Sequence, residues 1–399
     1  MSAPPSPTTP ATAALSACDL VAVDATEVHV HLDGAIRRLN RFWLRDNCPS
    51  NGDRTSLFRP FNVASMADDL TIDHAAIVDG ELEVTFGDGC ADRFDIDLLA
   101  SSCPRDATPD WRPWRADHTP TTVEFRPDLA DGSEHHRLLD ALRRDGFALV
   151  AGLPDDPSAT ETVSSWLGPI RATDFGRIFD IVTESDPFTP SQSESALDPH
   201  TDDPYRYHPP GISILHCMSP CDGHGGASTV TDGFAIARSI AVDDPEAFHL
   251  LTTIDVPYVH RRDRSVEQGA AVDLRAAAPV ISLDRGGHVC GVRFHERSMA
   301  PLQLDADLVD AFYRALMLFS RRALSSDFSY QRRLSAGEAI VYDNQRVLHG
   351  RSAITGASGR RHLRLCTVDR DQVHSRLRRL CVEFDPQRTD QSLAAGSAS

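Results

Sequence analysis

From about residue 176 to residue 368 the chain is a succession of short strand-like runs, IFDIV, ISILHC, STVT, TIDVPYV, APVISL, HVCGVRF, EAIVYD and RHLRLCTV, separated by turn residues. Only two helical patterns interrupt them. The longer runs from about Asp305 to Ser325 and sets Val309, Phe312, Leu316 and Phe319 on one face, as a helix packed on a core does. Many short strands with few helices predict a barrel or jelly roll, mainly β with flanking helices. Ahead of these runs, SEHHRLLDALRRDGFALVAGLP reads as an amphipathic helix that stops at Gly146 and leads into the buried strand FALVAG. ATETVSSWLG reads as a second short helix.

A different pattern precedes this part. Residues 19–104 carry short alternating runs such as VAVD, VHVHL, LEVTF and FDIDLL, broken by Gly, Asn and Asp, and predict a small β-rich N-terminal domain. The stretch SSCPRDATPDWRPWRADHTPTT, rich in Pro, reads as a linker, with a boundary near residues 105–120. Residues 105–385 then form the second domain. Residues 1–18 and 386–399 are rich in Pro, Ala, Ser, Thr and Gln and read as disordered tails.

Composition removes several classes of function. No stretch approaches the roughly 20 apolar residues of a membrane helix. A net charge of −18 opposes binding to nucleic acid or an anionic membrane. All 40 basic residues are Arg, so Schiff-base chemistry and the lysine-bearing phosphate loop are excluded, and any small carboxylate must be gripped by guanidinium. Nine Cys without a paired framework, and a start lacking the features of a secretory signal, predict a cytoplasmic protein.

The motif His-x-Asp occurs twice, and a His and a carboxylate two apart on a strand can share one metal ion. His31 and Asp33 lie at a glycine turn in the N-terminal module, with no later histidine returning to them. His200 and Asp202 open the strand-rich domain, and far downstream EAIVYDNQRVLHGRSAI leads an apolar strand to His349, a third ligand from a distant strand. Two His and one carboxylate leave open positions on an iron, the arrangement of non-haem Fe(II) oxygenases. Arg361, twelve residues past His349, is placed to pair with a co-substrate carboxylate, while Arg360 beside it would face the other way. Cys217 and Cys221, with His224 nearby, are accounted for by a strand and a turn without metal.

Three segments in order, HTDDPYRYHPPGISILHC, GGASTVTDGF and YDNQRVLHGRSAITGASGRRHL, resemble the γ-butyrobetaine and trimethyllysine hydroxylase branch of the taurine dioxygenase-like superfamily, as does WLRDNC near the N-terminus. The resemblance implies a double-stranded β-helix catalytic domain behind a small β domain, Fe(II) held by His200, Asp202 and His349, and 2-oxoglutarate bound by Arg361 with help from Ser228. It places Phe175, Phe179, Gln192 and Thr367 where the branch builds an aromatic cage for a trimethylammonium group. Two of the four are polar here, which points away from a quaternary ammonium substrate and toward another small polar molecule. His295 falls where the branch contacts a substrate carboxylate. Relatives of this branch hold zinc in the N-terminal domain, but Ser50 and Asp53 stand where further Cys would be, and Cys48 and Cys90 alone make a poor zinc site. The resemblance also allows a homodimer.

The expected function is oxidation, by hydroxylation or a related outcome, of an unactivated C–H bond in a small polar amine- or carboxylate-bearing metabolite, with 2-oxoglutarate converted to succinate and CO2. Two alternatives stand beside it: a ligand-binding barrel without catalysis, and a cupin-type metal isomerase or hydrolase that does not use 2-oxoglutarate.

Overall fold

Alternate side chains of a strand point to opposite faces, and the strand Phe147–Ala151 shows how this chain uses that rule twice over. Phe147 and Leu149 enter one core, Ala148 and Val150 another. A computed structural model describes residues 18–32, 34–52, 59–101, 111–183, 189–262, 271–356 and 361–386. The chain divides into two units, Met1–Asp106 and Ala107–Ser399, and is mainly β with several helices.

In the larger unit a six-stranded sheet runs in the order Thr122–Glu124, Phe147–Ala151, Glu338–Asp343, Ile212–Ser219, His362–Val368, Phe179–Val182. All its pairs are antiparallel except the first. A four-stranded sheet has the order Leu197–His200, Val347–Arg351, Ser228–Asp232, Ser329–Arg332. Phe147, Leu149, Ile340, Tyr342 and Leu363 of the first sheet meet Val230 and Val347 of the second in a shared core. On the far side of the larger sheet, Ala148, Val150, Ile214, Val341 and Val368 are covered by the helices Ser133–Asp145, Ser158–Leu167 and Arg370–Phe384.

The helix Ser133–Asp145 ends at Gly146 as its spacing predicts, with the glycine in the left-handed region at φ +83°. A Cβ there would also lie 2.7 Å from Cδ of Arg346, so glycine is required twice. Arg346 is fully buried and pairs with the equally buried Asp232, through Nε to Oδ1 and Nη2 to Oδ2, both at 3.2 Å. It also donates to the carbonyls of Arg144 at 2.7 Å and Arg112 at 2.6 Å. One side chain thereby ties together a helix end, a hairpin and the segment leading in from residue 111.

That segment departs from the linker reading. Trp114 is buried, its ring N–H donating to the Asp145 carbonyl at 2.6 Å and its backbone N–H to Asp232 at 3.0 Å, and Trp111 sits edge-on to Phe234. The two indoles outweigh the prolines. Among the described residues three α-helices, not two, interrupt the strands: Gly233–Asp243 and Pro245–Thr253 are separate because Pro245 donates nothing and Asp244 caps the second by accepting from the Ala247 N–H. The third, Ala306–Ala323, buries Phe312, Leu316 and Phe319, but Val309 in its first turn is exposed. The C-terminal helix Arg370–Phe384, with Val373, Leu377 and Cys381 buried, was not expected from the strand-dominated pattern. Among the described residues no helix is long and apolar enough to cross a membrane.

The smaller unit holds two three-stranded antiparallel sheets, Asp19–Val23, Glu27–Leu32, Ala35–Asn40 and Ile72–Val78, Glu81–Phe86, Ala91–Phe94. Strict alternation in EVHVHL and ELEVTF buries Val28, Val30, Leu32, Leu82, Val84 and Phe86 on one side. The run FDIDLL is not a strand throughout: Asp95 accepts from the Leu98 N–H at 2.6 Å and starts the helix Ile96–Ser101. Cys48 and Cys90 come together with sulfurs 3.9 Å apart, and burial, followed by the nearness of Cys90, pushes the Cys48 thiol up, so it stays protonated. Asp33, Asp53, Arg360, the outer parts of both tails and residues 102–110 of the linker lie outside the described residues.

Candidate active site

His200 ends the strand Leu197–His200, and His349 lies directly opposite it on the neighbouring strand Val347–Arg351. Opposed residues share a face, so the two imidazole rings stand 4.3 Å apart between centroids. The Nδ1 of His200 lies 2.9 Å from the Asp198 carbonyl, an obligate acceptor, so that nitrogen donates there and Nε2 is the one turned toward Asp202. Asp202 is not on the strand. It follows in a turn, where its Oδ1 sits 3.7 Å from His200 Nε2 and 3.5 Å from His349 Nε2.

What holds that turn is Asn344, which is fully buried and escaped the sequence reading. Its Oδ1 accepts from the Asp202 N–H at 2.7 Å, and its amide donates to the carbonyls of Asp202 at 3.1 Å and Pro210 at 3.2 Å. Tyr342 adds a hydroxyl 3.4 Å from Asp202 Oδ2, with its ring 4.7 Å from that of His349. The available sign was two polar-tipped residues, Tyr342 and Asn344, in the run that leads to His349. For a metal ion held by this triad, replacing Asn344 with Ala is expected to weaken binding by about 10–100-fold, as loss of an outer partner does. Competition against a chromophoric chelator measures it.

Burial acts to raise the Asp202 carboxyl, yet the adjacent His349 and His200 hold it well below the usual carboxylate range. Burial lowers His349. An ionised carboxylate and a neutral imidazole are the forms that bind a metal. His200, Asp202 and His349 are the one group of His, Cys, Asp or Glu among the described residues with ligand atoms close enough, all within 4.8 Å, to hold an ion.

The triad opens into a cavity of about 320 Å³ on the inner face of the six-stranded sheet. Arg361, Leu363, Leu365 and Thr367, spaced two apart, all line it, which puts Arg361 on the interior face. Burial, then the charge of Arg351, lowers Arg361 to about 10, so it remains a cation at neutral pH. Its Nη1 is buried without a hydrogen-bond partner, as are His295 Nδ1 and Thr367 Oγ1. Such atoms around one cavity leave partners to be supplied by what binds there. Ser228 is buried on the same cavity wall, in register with Arg351.

Phe175 and Phe179 line the cavity with ring centroids 5.1 Å apart. His295 does so too, its ring 4.6 Å from that of His200. Burial and then the neighbouring His200 lower it to about 3, so at neutral pH it is uncharged. Gln192 departs from its expected place. It is buried, its Oε1 accepts from the Thr189 N–H at 3.0 Å, and the cavity is lined instead by Thr189, Pro190 and Ser191. A side chain committed to capping its own turn does not reach the cavity. Arg351 pins this rim by donating to the carbonyls of Ser191 at 3.1 Å, Ser193 at 2.7 Å and Ser195 at 2.5 Å.

Residues 106–367 match the family model described as taurine catabolism dioxygenase TauD, TfdA family. Over 356 residues the chain is 33% identical to gamma-butyrobetaine dioxygenase of Pseudomonas sp. (strain AK-1), covering 86% of this chain and 91% of the relative. It is 26% identical to the human protein of that name over 350 residues, covering 84% and 89%. It is likewise 26% identical to mitochondrial trimethyllysine dioxygenase of Bos taurus over 370 residues, covering 90% and 86%.

Proposed function

The chain belongs to the TauD, TfdA family and is an Fe(II)- and 2-oxoglutarate-dependent dioxygenase, and from that premise we propose that His200, Asp202 and His349 are its iron ligands and Arg361 its 2-oxoglutarate anchor. The observation that carries this is the meeting of the three donors with a buried guanidinium in one cavity. The donor set fits the metal: two imidazoles and one carboxylate suit Fe(II) and leave coordination positions open. Bound iron with 2-oxoglutarate supplies the oxidising power to attack an unactivated C–H bond.

The chain's own part is binding, orientation and exclusion of water. Arg361 meets a carboxylate as a charged fork, with Ser228 on the same wall adding a hydroxyl. Leu215, Leu363 and Leu365 form a dry floor, which strengthens that pairing. Phe175, Phe179, His295 and Thr367 orient the substrate, a small polar metabolite bearing an amine or carboxylate; relatives are named for γ-butyrobetaine and trimethyllysine. The two sheets are the halves of a double-stranded β-helix, residues 19–104 are a separate small domain, and its Cys48–Cys90 pair packs without zinc.

The test is anaerobic titration of the metal-free protein with Fe(II) and then 2-oxoglutarate, following the visible charge-transfer absorption of the chelate. The band is expected in the parent protein and absent in His200→Ala. Arg361→Ala is expected to raise the 2-oxoglutarate concentration needed by at least about thirtyfold, since truncating one partner of a buried charge pair costs roughly 2 kcal/mol or more. Iron binding without the band would favour a cupin-type or non-catalytic barrel.

A further inference from the structure

Directly after Asp202 the backbone enters the left-handed region, at Asp203 with φ +49°. That conformation is uncommon outside glycine, and although aspartate tolerates it better than most residues, it persists where neighbours hold it. The Asp203 carboxylate is gripped twice, by the Tyr205 hydroxyl at 2.6 Å and by Arg206 Nε at 2.6 Å. Its carbonyl accepts from the Arg206 N–H at 3.1 Å. The same guanidinium then reaches out of the turn. Its Nη2 donates to Oδ1 of Asp174, in a hairpin closed by two hydrogen bonds of 3.0 Å between Thr173 and Gly176. Thr173, Phe175 and Gly176 of this hairpin and Asp202, Asp203 and Tyr205 of the turn all line the cavity. The side chains of Arg206, Asp174 and Asp203 are 16%, 8% and 11% exposed, so solvent screens their contacts little.

We infer that Arg206 is a positioning residue whose two-sided grip couples the hairpin bearing Phe175 to the turn bearing Asp202, so that ordering the metal side orders the substrate side. The inference rests on the dioxygenase reading and deepens it. A guanidinium suits this task because its donors diverge in one rigid plane and fix the spacing of two carboxylates. Cutting the link leaves both ends supported: Asp203 keeps Tyr205, and Asp174 keeps His260 at 3.6 Å and Arg262 at 4.0 Å. Arg293 also holds the turn, donating to the carbonyls of Pro204 and Arg206 at 3.3 Å. A variant at Arg206 is therefore expected to fold. The link runs through Asp174, and the ring of Phe175 takes no part in it.

Amide hydrogen exchange, read by mass spectrometry on peptides covering residues 171–178 and 200–207 with and without Fe(II) in the absence of oxygen, tests the coupling. In the parent, Fe(II) is expected to slow exchange in both peptides, by about fivefold or more at 173–176, the lower end of coupling between linked sites. In Arg206→Gln the protection at 200–207 should persist while that at 173–176 vanishes. Arg206→Lys, a point charge in place of a fork, should recover part of it, and Asp174→Asn, which cuts the ion pair from its other end, should act like Arg206→Gln. Coupling is reciprocal, so Arg206→Gln should also weaken Fe(II) binding about fivefold. A residue that merely props the fold would raise exchange equally with and without the metal. Fe(II) protection at 173–176 that survives in Arg206→Gln, or that is missing in the parent, overturns the inference. Absence of Fe(II) protection at 200–207 in the parent would instead overturn the dioxygenase reading.

Discussion

Asp202→Ala is expected to leave a folded protein that has lost more than the 10–100-fold in Fe(II) affinity typical of an outer partner, and with it succinate formation. Asp202 is the one anionic donor in the triad, set 3.5–3.7 Å from both imidazole nitrogens. Without it a dication would be left with two neutral nitrogens, and each imidazole would lose the carboxylate that now faces it. The backbone of the turn would survive, because Asn344 holds it through main-chain groups of residue 202 that alanine retains. The unfolding midpoint of the metal-free variant should therefore stay close to that of the parent while iron binding collapses. Iron affinity and turnover at parent levels would remove Asp202 from the site.

The second large effect lies in the buried pair behind the site. Arg346→Met is expected to lower the free energy of unfolding by about 3–5 kcal/mol, the cost of leaving a buried charge without its partner. Asp232 has no exposed surface through which water could replace the guanidinium. The variant would also strip the carbonyls of Arg112 and Arg144 of their donor. Arg346→Met with Asp232→Asn should recover part of the loss, because asparagine carries no charge and keeps one oxygen, enough for one of the two N–H groups, Trp114 and Phe234, that Asp232 accepts from through separate oxygens. Denaturant unfolding of the parent, single and double variants measures this. A cost below about 1 kcal/mol would mean that the pair is no more than a surface ion pair in effect.

That His200 and His349 meet and that Arg361 faces the cavity was legible because the signals are local or periodic. A short strand shows its period in the letters, and a histidine after an apolar strand shows which element carries it. Asp202 was legible as a residue but not as a geometry: the strand stops at His200, and the carboxylate is aimed by Asn344, well over a hundred residues away in the chain. Long-range partners of that kind leave no mark on spacing. The Arg346–Asp232 pair was hidden for the same reason, as was Arg262 over Phe175. Gln192 misled because resemblance supplies a position but not the hydrogen bond that turns the side chain into its own loop. The segment at 111–118 misled because proline content announces a break in regular structure, whereas burial of Trp111 and Trp114 is settled by the rings they meet.

Arg351 closes three rim carbonyls from a position two residues beyond His349. For anyone redesigning the enzyme toward a new substrate this divides the cavity into territory to keep and territory to vary. Diversity placed at residues 191–195 would be transmitted through the clamp to the strand that bears His349, and most of a library built there is expected to be lost as inactive clones. Diversity placed at Phe175, Arg177, Phe179, Val259 and Arg262 touches the cavity from elements that carry none of the three donors. Substrate scope should evolve fastest from that side.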